Sequence, residues 1–153
     1  MIEKFWEKKL LSELTKEEWE SLCDGCGKCC VLKLENVDNK KIYYTNVSCK
    51  LLNRKNIKCN NYKNRKKIVP NCIKLSPKNI NYLKWMPKTC AYRRINEGKK
   101  LFDWHPLISK RKNSTIESGN SIYGKILSEN NVKEDDLIYY LYDWNKYSEI
   151  DLK

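Results

Sequence analysis

The stretch CDGCGKCC at residues 23–30 places four of the chain's eight cysteines within eight positions. Cys23, Cys26 and Cys29 are each separated from the next by two residues, so two CxxC steps overlap, and Cys30 follows directly. A CxxC step is a common bidentate unit for binding metal through thiolates. The spacing is therefore typical of metal-bound thiolates rather than of core packing or disulfides.

The other four cysteines follow at intervals of about ten to twenty residues, close enough for a small fold to return them to the first group. We predict that all eight thiols bind metal: Cys23, Cys26, Cys29, Cys30, Cys49, Cys59, Cys72 and Cys90. The alternative for the four downstream residues is a role as small apolar core residues, as buried cysteines often have. Eight thiols allow two four-thiolate sites or one larger cluster, and the sequence leaves both open.

Two consecutive CxxC steps are similar to bacterial iron–sulfur ligation, in which three cysteines of one loop bind with a distant fourth. Zinc sites more often use two separated CxxC pairs. An iron–sulfur cluster is therefore favoured over zinc as the cofactor. The adjacent Cys29 and Cys30 point in different directions, so they should serve neighbouring metals or opposite corners of a polynuclear site.

Length and composition set the frame for the fold. A chain of 153 residues predicts a single domain over residues 1–153. The mean hydropathy of -0.77 and a hydrophobic content of 41% indicate a modest core, which bound metal would help to stabilise. We expect a small, irregular, cysteine-rich α+β domain with several short helices and a minor β-hairpin, organised around the metal site.

The sequence predicts a cytoplasmic protein. The N-terminal residues contain no uninterrupted apolar run suited to a signal peptide, and no segment approaches the ~20 apolar residues that cross a bilayer. We therefore expect no membrane partner. In the reducing cytoplasm, disulfides among the eight cysteines are not expected.

The net charge of +12 allows a nucleic-acid partner but does not favour one. Only five of the 31 basic residues are Arg, whereas surfaces that bind phosphate tend to use Arg. The densest basic stretch, residues 50–67, is expected to be a solvated face. The alternative function is a structural-zinc protein that binds nucleic acid or the ribosome through this surface.

Apolar periodicity predicts an amphipathic helix over residues 3–13. Thr15 and Glu18 form a capping-box pattern at the start of a second helix, which leads into the cysteine loop. Glycines should keep that loop non-helical and let its backbone N–H groups turn toward sulfur. Beyond it, residues 31–34 and 42–47 favour a β-hairpin.

The rest of the chain gives weaker signals. Residues 49–75 are predicted to be irregular, and Pro77 marks a helix from Ser76 to about Trp85. Thr89 should cap a short helix that ends at Gly98 and carries Cys90 in its first turn. Further along, we predict a polar loop over residues 109–124, a short strand over 122–127, and a helix or strand over 134–144.

His105 is the only histidine of the chain. A lone histidine is usually structural, with metal binding or proton transfer as the alternative. Asp24 and Asp103 could orient metal ligands. The sequence contains no Ser/His/Asp arrangement, P-loop or GxGxxG motif. Catalytic residues therefore remain unassigned, and whether the protein is an enzyme stays open.

These residues carry a family resemblance. The quoted segments are CDGCGKCC at 23–30, TNVSC at 45–49, CNNYKNR at 59–65, PNCIKLS at 70–76 and MPKTCAYRRINEGKKLFDWHPL at 86–107. They resemble the bacterial YcgN family, the CxxCxxCC cysteine-cluster group related to YkgJ-type zinc- or iron-chelating proteins. The resemblance implies metal or iron–sulfur binding by the cysteines, and no particular reaction. Where some members have Cys-x-Cys, this chain has Ile57-Lys58-Cys59, which is one thiol fewer.

Overall fold

The computed structural model describes residues 3–144. In this range no α-helix is longer than six residues. The helices are α1 Phe5–Lys8, α2 Lys16–Ser21, α3 Arg65–Ile68, α4 Ala91–Asn96, α5 Pro106–Ser109 and α6 Ser114–Glu117. The strands are β1 Val31–Glu35, β2 Ile42–Ser48, β3 Leu52–Asn53, β4 Lys58–Cys59 and β5 Leu127–Ser128. The predicted α+β class, with short helices and a minor hairpin, is confirmed.

The main sheet has the strand order β1-β2-β5. Strands β1 and β2 form the predicted antiparallel hairpin, with Val31 opposite Ser48 and Glu35 opposite Ile42. Its turn is held by the side chain of Asn36, whose Oδ1 accepts a hydrogen bond from the N–H of Asp38 at 2.9 Å, a local arrangement that asparagine favours. β5 adds in parallel to β2.

Residues 49–75 are largely irregular, as predicted, but they include a two-stranded ribbon of β3 and β4. Leu52 pairs with Cys59 and Asn53 with Lys58. Between the strands, Ile57 has a positive φ of 56°, which is rare for a β-branched residue. The ribbon lies directly after Cys49 and contains Cys59.

The prediction of one helix over residues 3–13 is wrong. α1 ends at Lys8, Lys9 and Leu10 are extended, and a 3₁₀ turn follows at Leu11–Glu13. The Lys9 ammonium lies 2.7 Å from the Glu18 carboxylate, so the break brings this segment against α2. The capping box of α2 is confirmed, since the Glu18 N–H donates to Thr15 Oγ1 at 3.1 Å.

The predicted helix from Ser76 to Trp85 is also wrong, because only a 3₁₀ turn at Ile80–Tyr82 forms there. The Asn79 side chain hydrogen-bonds to nearby backbone groups. Its Oδ1 accepts from the Ser76 N–H at 2.8 Å, and its Nδ2 donates to the Lys74 carbonyl at 2.9 Å. Such side-chain bonds compete with helix formation.

The helix predicted after Thr89 is present as α4, but its N-cap is Cys90 rather than Thr89. Cys90 therefore precedes the first turn instead of lying within it. Gly98, with a φ of 74°, ends the helix as predicted. The Lys99 N–H donates to the Arg94 carbonyl at 2.8 Å and the Gly98 N–H to the Ile95 carbonyl at 3.1 Å, which is a Schellman motif.

Predictions for the C-terminal third are corrected in part. α6 lies within the predicted polar loop of residues 109–124, and β5 begins at Leu127 rather than spanning 122–127. A 3₁₀ helix at Glu134–Tyr140 occupies the segment predicted as helix or strand. Beyond it the chain returns to β2, where Trp144 Nε1 donates to the Thr45 carbonyl at 2.8 Å.

Two clusters of buried apolar side chains form the core. The first, here the helical core, contains Phe5, Trp6, Leu11, Leu22, Ile80, Ala91, Tyr92 and Leu101. The second, here the strand core, contains Val31, Leu52, Ile57, Ile122 and Trp144. The cysteine loop runs from Leu22 in one cluster to Val31 in the other, so the four thiols of residues 23–30 lie between the two cores in the chain. No helix within residues 3–144 is long and apolar enough to cross a membrane.

Candidate metal centre

The cysteine loop is non-helical over its first half, as its glycines predict. Gly25 and Gly27 have φ values of 74° and 80°, which glycine adopts at little cost. A Cβ on Gly27 would lie 2.5 Å from Ile57 Cγ2 and 2.8 Å from Ile122 Cδ1. Only glycine therefore lets the loop pass this close to the strand core. A 3₁₀ turn at Lys28–Cys30 then leads into β1.

Three hydrogen bonds fix the course of this loop. The Cys26 N–H donates to Asp24 Oδ1 at 3.0 Å, and the Cys26 carbonyl accepts from the Ile122 N–H at 3.0 Å. Thr115 Oγ1 donates to the Asp24 carbonyl at 3.0 Å. Asp24 thus shapes the backbone next to Cys26, whereas Asp103 is exposed to solvent.

His105 has a structural role here. Its side chain is 2% exposed, its Nε2 lies 2.8 Å from the Leu22 carbonyl, and its Nδ1 accepts from the Leu107 N–H at 3.0 Å. The neutral tautomer with a proton on Nε2 satisfies both bonds, and burial lowers the pKa of the ring. Both nitrogens are occupied, so the alternative of metal binding by His105 is not supported.

Cys90 is brought beside the cysteine loop by contacts on either side of it. The Lys28 ammonium donates to Thr89 Oγ1 at 3.0 Å, and the Tyr92 hydroxyl donates to the Trp19 carbonyl at 2.6 Å. The rings of Trp19 and Tyr92 also pack with their centroids 4.5 Å apart. The start of α4 is therefore tied to α2 and to the middle of the loop.

The thiols of this region influence one another electrostatically. Desolvation raises the pKa of Cys23 and, to about 12, that of Cys90, and negative charge on Cys29 adds to both shifts. Desolvation and the charge of Asp24 raise the pKa of Cys26. The pKa of Cys29 is lowered to about 7, chiefly because the Cys30 side chain hydrogen-bonds to it. Cys29 is thus the readiest thiolate of the loop.

Cys30, whose side chain hydrogen-bonds to Cys29, also lies next to Cys49 in the strand pairing. Its carbonyl accepts from the Cys49 N–H at 2.8 Å, next to the pairing of Val31 with Ser48. Desolvation raises the pKa of Cys49, and negative charge on Glu129 and, less strongly, on Cys72 and Cys59 adds to the shift. A backbone hydrogen bond therefore holds Cys49 at the end of the loop.

Two lysines supply positive charge to the thiols, and sequence reasoning did not single them out. The Lys33 ammonium donates to the carbonyls of Val31 at 2.8 Å and Cys29 at 3.2 Å, and it lies 4.8 Å from the centroid of the Trp85 ring. Desolvation lowers the pKa of Lys33, and negative charge on Cys29 opposes the shift. Lys28 is 2% exposed. The sequence signal that could have identified Lys33 is its position within an apolar strand directly after the cysteines.

Some backbone N–H groups point at sulfur, and one of them lies in the cysteine loop, as the sequence predicts. The Gly25 N–H donates to Cys23 Sγ at 3.4 Å, and the Leu51 N–H donates to Cys49 Sγ at 3.5 Å. Hydrogen bonds to sulfur are one of the factors that tune iron–sulfur sites.

The donor set suits a soft metal. All eight cysteines are free thiols, and thiolates select zinc and iron–sulfur clusters over hard cations. Within residues 3–144, no group of three His, Cys, Asp or Glu side chains stands in an arrangement that could hold a metal ion.

The basic stretch at residues 50–67 is mostly exposed, which agrees with the predicted solvated face. Arg65 stacks over the Tyr62 ring, 3.9 Å from its centroid. Neither the comparisons below nor the contacts of this stretch indicate a nucleic-acid partner.

Comparison with known proteins agrees with the cysteine pattern. Residues 22–91 match a family model, CxxCxxCC, described as a "Putative zinc- or iron-chelating domain". The chain is 47% identical over 92% of its length to a UPF0260 protein of Rhizobium leguminosarum, covering 88% of that protein. It is 46% identical over 92% of its length to a UPF0260 protein of Cellvibrio japonicus, covering 95% of it.

A UPF0260 protein of Brucella melitensis is 48% identical over 86% of the chain and 87% of its own length. No solved structure matches the chain. The predicted resemblance to the CxxCxxCC cysteine-cluster group is confirmed.

Proposed function

Because the chain belongs to the UPF0260 family and carries the CxxCxxCC domain, we propose that it is a small metal-binding protein whose cysteine thiolates hold an iron–sulfur cluster or zinc. The ligands are drawn from the eight cysteines predicted above. When bound, the metal supplies structural cross-linking or, as an iron–sulfur cluster, one-electron redox capacity. Within UPF0260, we assign the chain to the YcgN group.

The observation that carries the proposal is that Cys49 and Cys90, distant in sequence, are held beside the cysteine loop. Cys90 is tied to the loop through the contacts of Lys28 and Tyr92, and Cys49 is tied to it by a backbone hydrogen bond to Cys30. If the cysteines were only apolar core residues, they would not need the desolvated Lys33 ammonium beside them. Lys33 offsets negative charge there, as a set of metal-bound thiolates requires.

An iron–sulfur cluster is favoured over zinc for the loop itself. Cys23, Cys26 and Cys29 repeat the spacing of bacterial iron–sulfur loops, and Cys90 provides the distant fourth thiol. The N–H bond to Cys23 Sγ at 3.4 Å is of the kind that supports such clusters. The thiols need reducing conditions to stay free, which supports a cytoplasmic location. Metal binding by these thiols would stabilise the single domain, because binding and folding free energy are shared in such sites.

The test is to purify the chain under strictly anaerobic conditions and to measure iron, zinc, acid-labile sulfide and visible absorption. If the metal is an iron–sulfur cluster, the protein should contain iron and sulfide and show a broad absorption band in the violet part of the visible spectrum. If it is zinc, the protein should be colourless and contain stoichiometric zinc. Recovery of folded protein without either metal would contradict it. A control preparation exposed to air distinguishes an oxygen-sensitive cluster from zinc.

A further inference from the structure

We propose that a cavity between β2 and the start of α4 binds a small organic phosphate ester. The cavity has a volume of about 310 Å³, which is at the lower end of the range for ligand sites. Within the described residues no cysteine lines it. The site is therefore separate from the thiols of the candidate metal centre.

The charge of the cavity favours an anion. Four of its eight lining residues are basic, and no acidic residue between positions 3 and 144 lines it. Basic residues make up only 31 of the 153 residues of the whole chain. Charges of one sign around a cleft concentrate ions of the opposite sign there. The basic lining residues are Lys40, Lys84, Lys88 and Arg93.

These basic side chains suit a phosphate better than a carboxylate. Carboxylates are matched by the arginine fork, but the Arg93 fork is already engaged. Its Nη1 donates to the Met86 carbonyl, and its Nε lies 3.1 Å from the Glu97 carboxylate. The other three cations are lysines, whose ammonium groups bind phosphate as point charges. A phosphate monoester carries nearly two negative charges at neutral pH, which a set of lysines offsets.

The other half of the lining is apolar or aromatic. It consists of Ile42, Tyr44, Trp85 and Met86. Ligand sites commonly combine apolar walls with a few charged groups that fix orientation. Free phosphate has no use for such walls, whereas an ester can place its organic group against them. The lining therefore favours an ester over the inorganic ion.

Contacts among the walls hold the cavity open. The Tyr44 hydroxyl on β2 donates to the Trp85 carbonyl, and Arg93 on α4 donates to the Met86 carbonyl. Lys33 supports the aromatic wall, since its ammonium lies 5.2 Å from the centroid of the Tyr44 ring and 4.8 Å from that of Trp85. Walls that are already in place lower the ordering cost of binding.

A second cavity of about 240 Å³ shares Lys84 and Arg93 with the first. Glu97 lines this second cavity, but its carboxylate is paired with Arg93 at 3.1 Å and with Lys99 at 3.3 Å. Its negative charge is therefore offset. Lys84 lines both cavities, so it is the lysine whose loss should affect the ligand most directly.

The test is isothermal titration calorimetry of the full chain, as purified anaerobically, with phenyl phosphate, inorganic phosphate and benzoate. Phenyl phosphate should bind about tenfold more tightly than either of the others, because it alone supplies both the charge of a phosphate and an apolar ring. Its affinity should fall as the salt concentration is raised, because salt screens the lysines.

Lys84→Gln and Lys40→Gln should each weaken the binding of phenyl phosphate about tenfold, and the double variant more, because the two lysines lie on different walls. Lys66→Gln is the matched control: it removes the same charge from an exposed position outside the cavity and should bind like the wild type. Ile42→Ala should weaken phenyl phosphate and leave inorganic phosphate unchanged. Circular dichroism checks the folding of each variant.

Failure of the folded wild-type chain to bind phenyl phosphate would overturn the proposal. Equal affinity for benzoate would also overturn it, because it would indicate general binding of anions. Equal losses in Lys84→Gln and Lys66→Gln would do the same, because they would show that net charge rather than the cavity decides binding. None of these results depends on the metal content of the chain, so the proposed function is tested separately.

Discussion

Lys33 illustrates how much of this site depends on a single residue. Its ammonium is withdrawn from bulk water by Trp85 and by backbone carbonyls of the cysteine loop. Desolvating a cation is costly unless negative charge lies nearby. Cys29, whose thiol pKa is lowered to about 7, provides that charge when it ionises.

We predict that Lys33→Met weakens metal retention about tenfold against a competing chelator, equivalent to ~1.4 kcal/mol. The reason is the loss of a positive charge beside the anionic thiolates. The control is Lys41→Met, because the Lys41 ammonium lies over the Tyr43 ring at 5.3 Å and is exposed. Equal retention in both variants would show that Lys33 does not act on the metal.

Gly27 gives a second prediction at the same scale. Gly27→Ala should lower the free energy of unfolding by about 2–4 kcal/mol, because the new Cβ overlaps Ile57 and the positive φ disfavours alanine. Gly119→Ala is the matched control: its φ is 81°, but nothing lies within 4 Å of the added Cβ.

The measurement is urea unfolding of both variants at equal metal content. Gly119→Ala should lose only about 1–2 kcal/mol, the cost of the positive φ. Equal losses in the two variants would mean that the loop can move away from the strand core.

At the scale of elements, the sequence correctly predicted the features that depend on residues close together in the chain. The capping box of Thr15 and Glu18, the hairpin of β1 and β2, and the stop at Gly98 all depend on bonds between residues at most a few positions apart. The helix over residues 3–13 is broken at Lys9, which pairs with Glu18 at 2.7 Å, a contact that local periodicity does not reveal. The helix after Ser76 failed because Asn79 binds the backbone instead.

His105 links two elements, the end of α2 and the start of α5, and this yields a pH prediction. Its pKa in the folded state is lowered from 6.5 by burial, so the unfolded state takes up the proton first. Stability should therefore fall as pH drops below about 6.5 and should stop falling once the folded form is protonated.

His105→Gln removes the titrating group, so the difference in unfolding free energy between wild type and variant should shrink as pH falls from 7.5 to about 5. Denaturant unfolding at fixed metal content measures this difference. A difference that is independent of pH would show that His105 has the same pKa in both states.

At the scale of the whole molecule, the cysteines were identifiable from sequence but their grouping was not. The overlapping CxxC steps are local, whereas the neighbours of Cys90 depend on the contact of Tyr92 with Trp19, 73 positions apart. The neighbours of Cys49 depend on strand pairing and on a two-stranded ribbon that the irregular sequence of 49–75 did not indicate. Long-range contacts therefore decide which thiols meet.

Metal binding and folding should be coupled in this chain, since the cysteine loop runs between its two cores. We predict that Cys26→Ser lowers both the metal content and the midpoint of thermal unfolding, by several degrees or more. Ser121→Ala is the control, because Ser121 is also buried and its hydroxyl approaches the Cys26 carbonyl at 3.4 Å. A Cys26→Ser protein with full metal content and an unchanged midpoint would contradict the coupling.

The most direct test of the central claim is the metal-to-protein ratio of the wild-type chain after anaerobic gel filtration, measured together with the number of thiols that react with a disulfide reagent. The account predicts bound iron or zinc, with the ligating thiols protected until the metal is removed. Folded, metal-free protein in which all eight thiols react without metal release would contradict it.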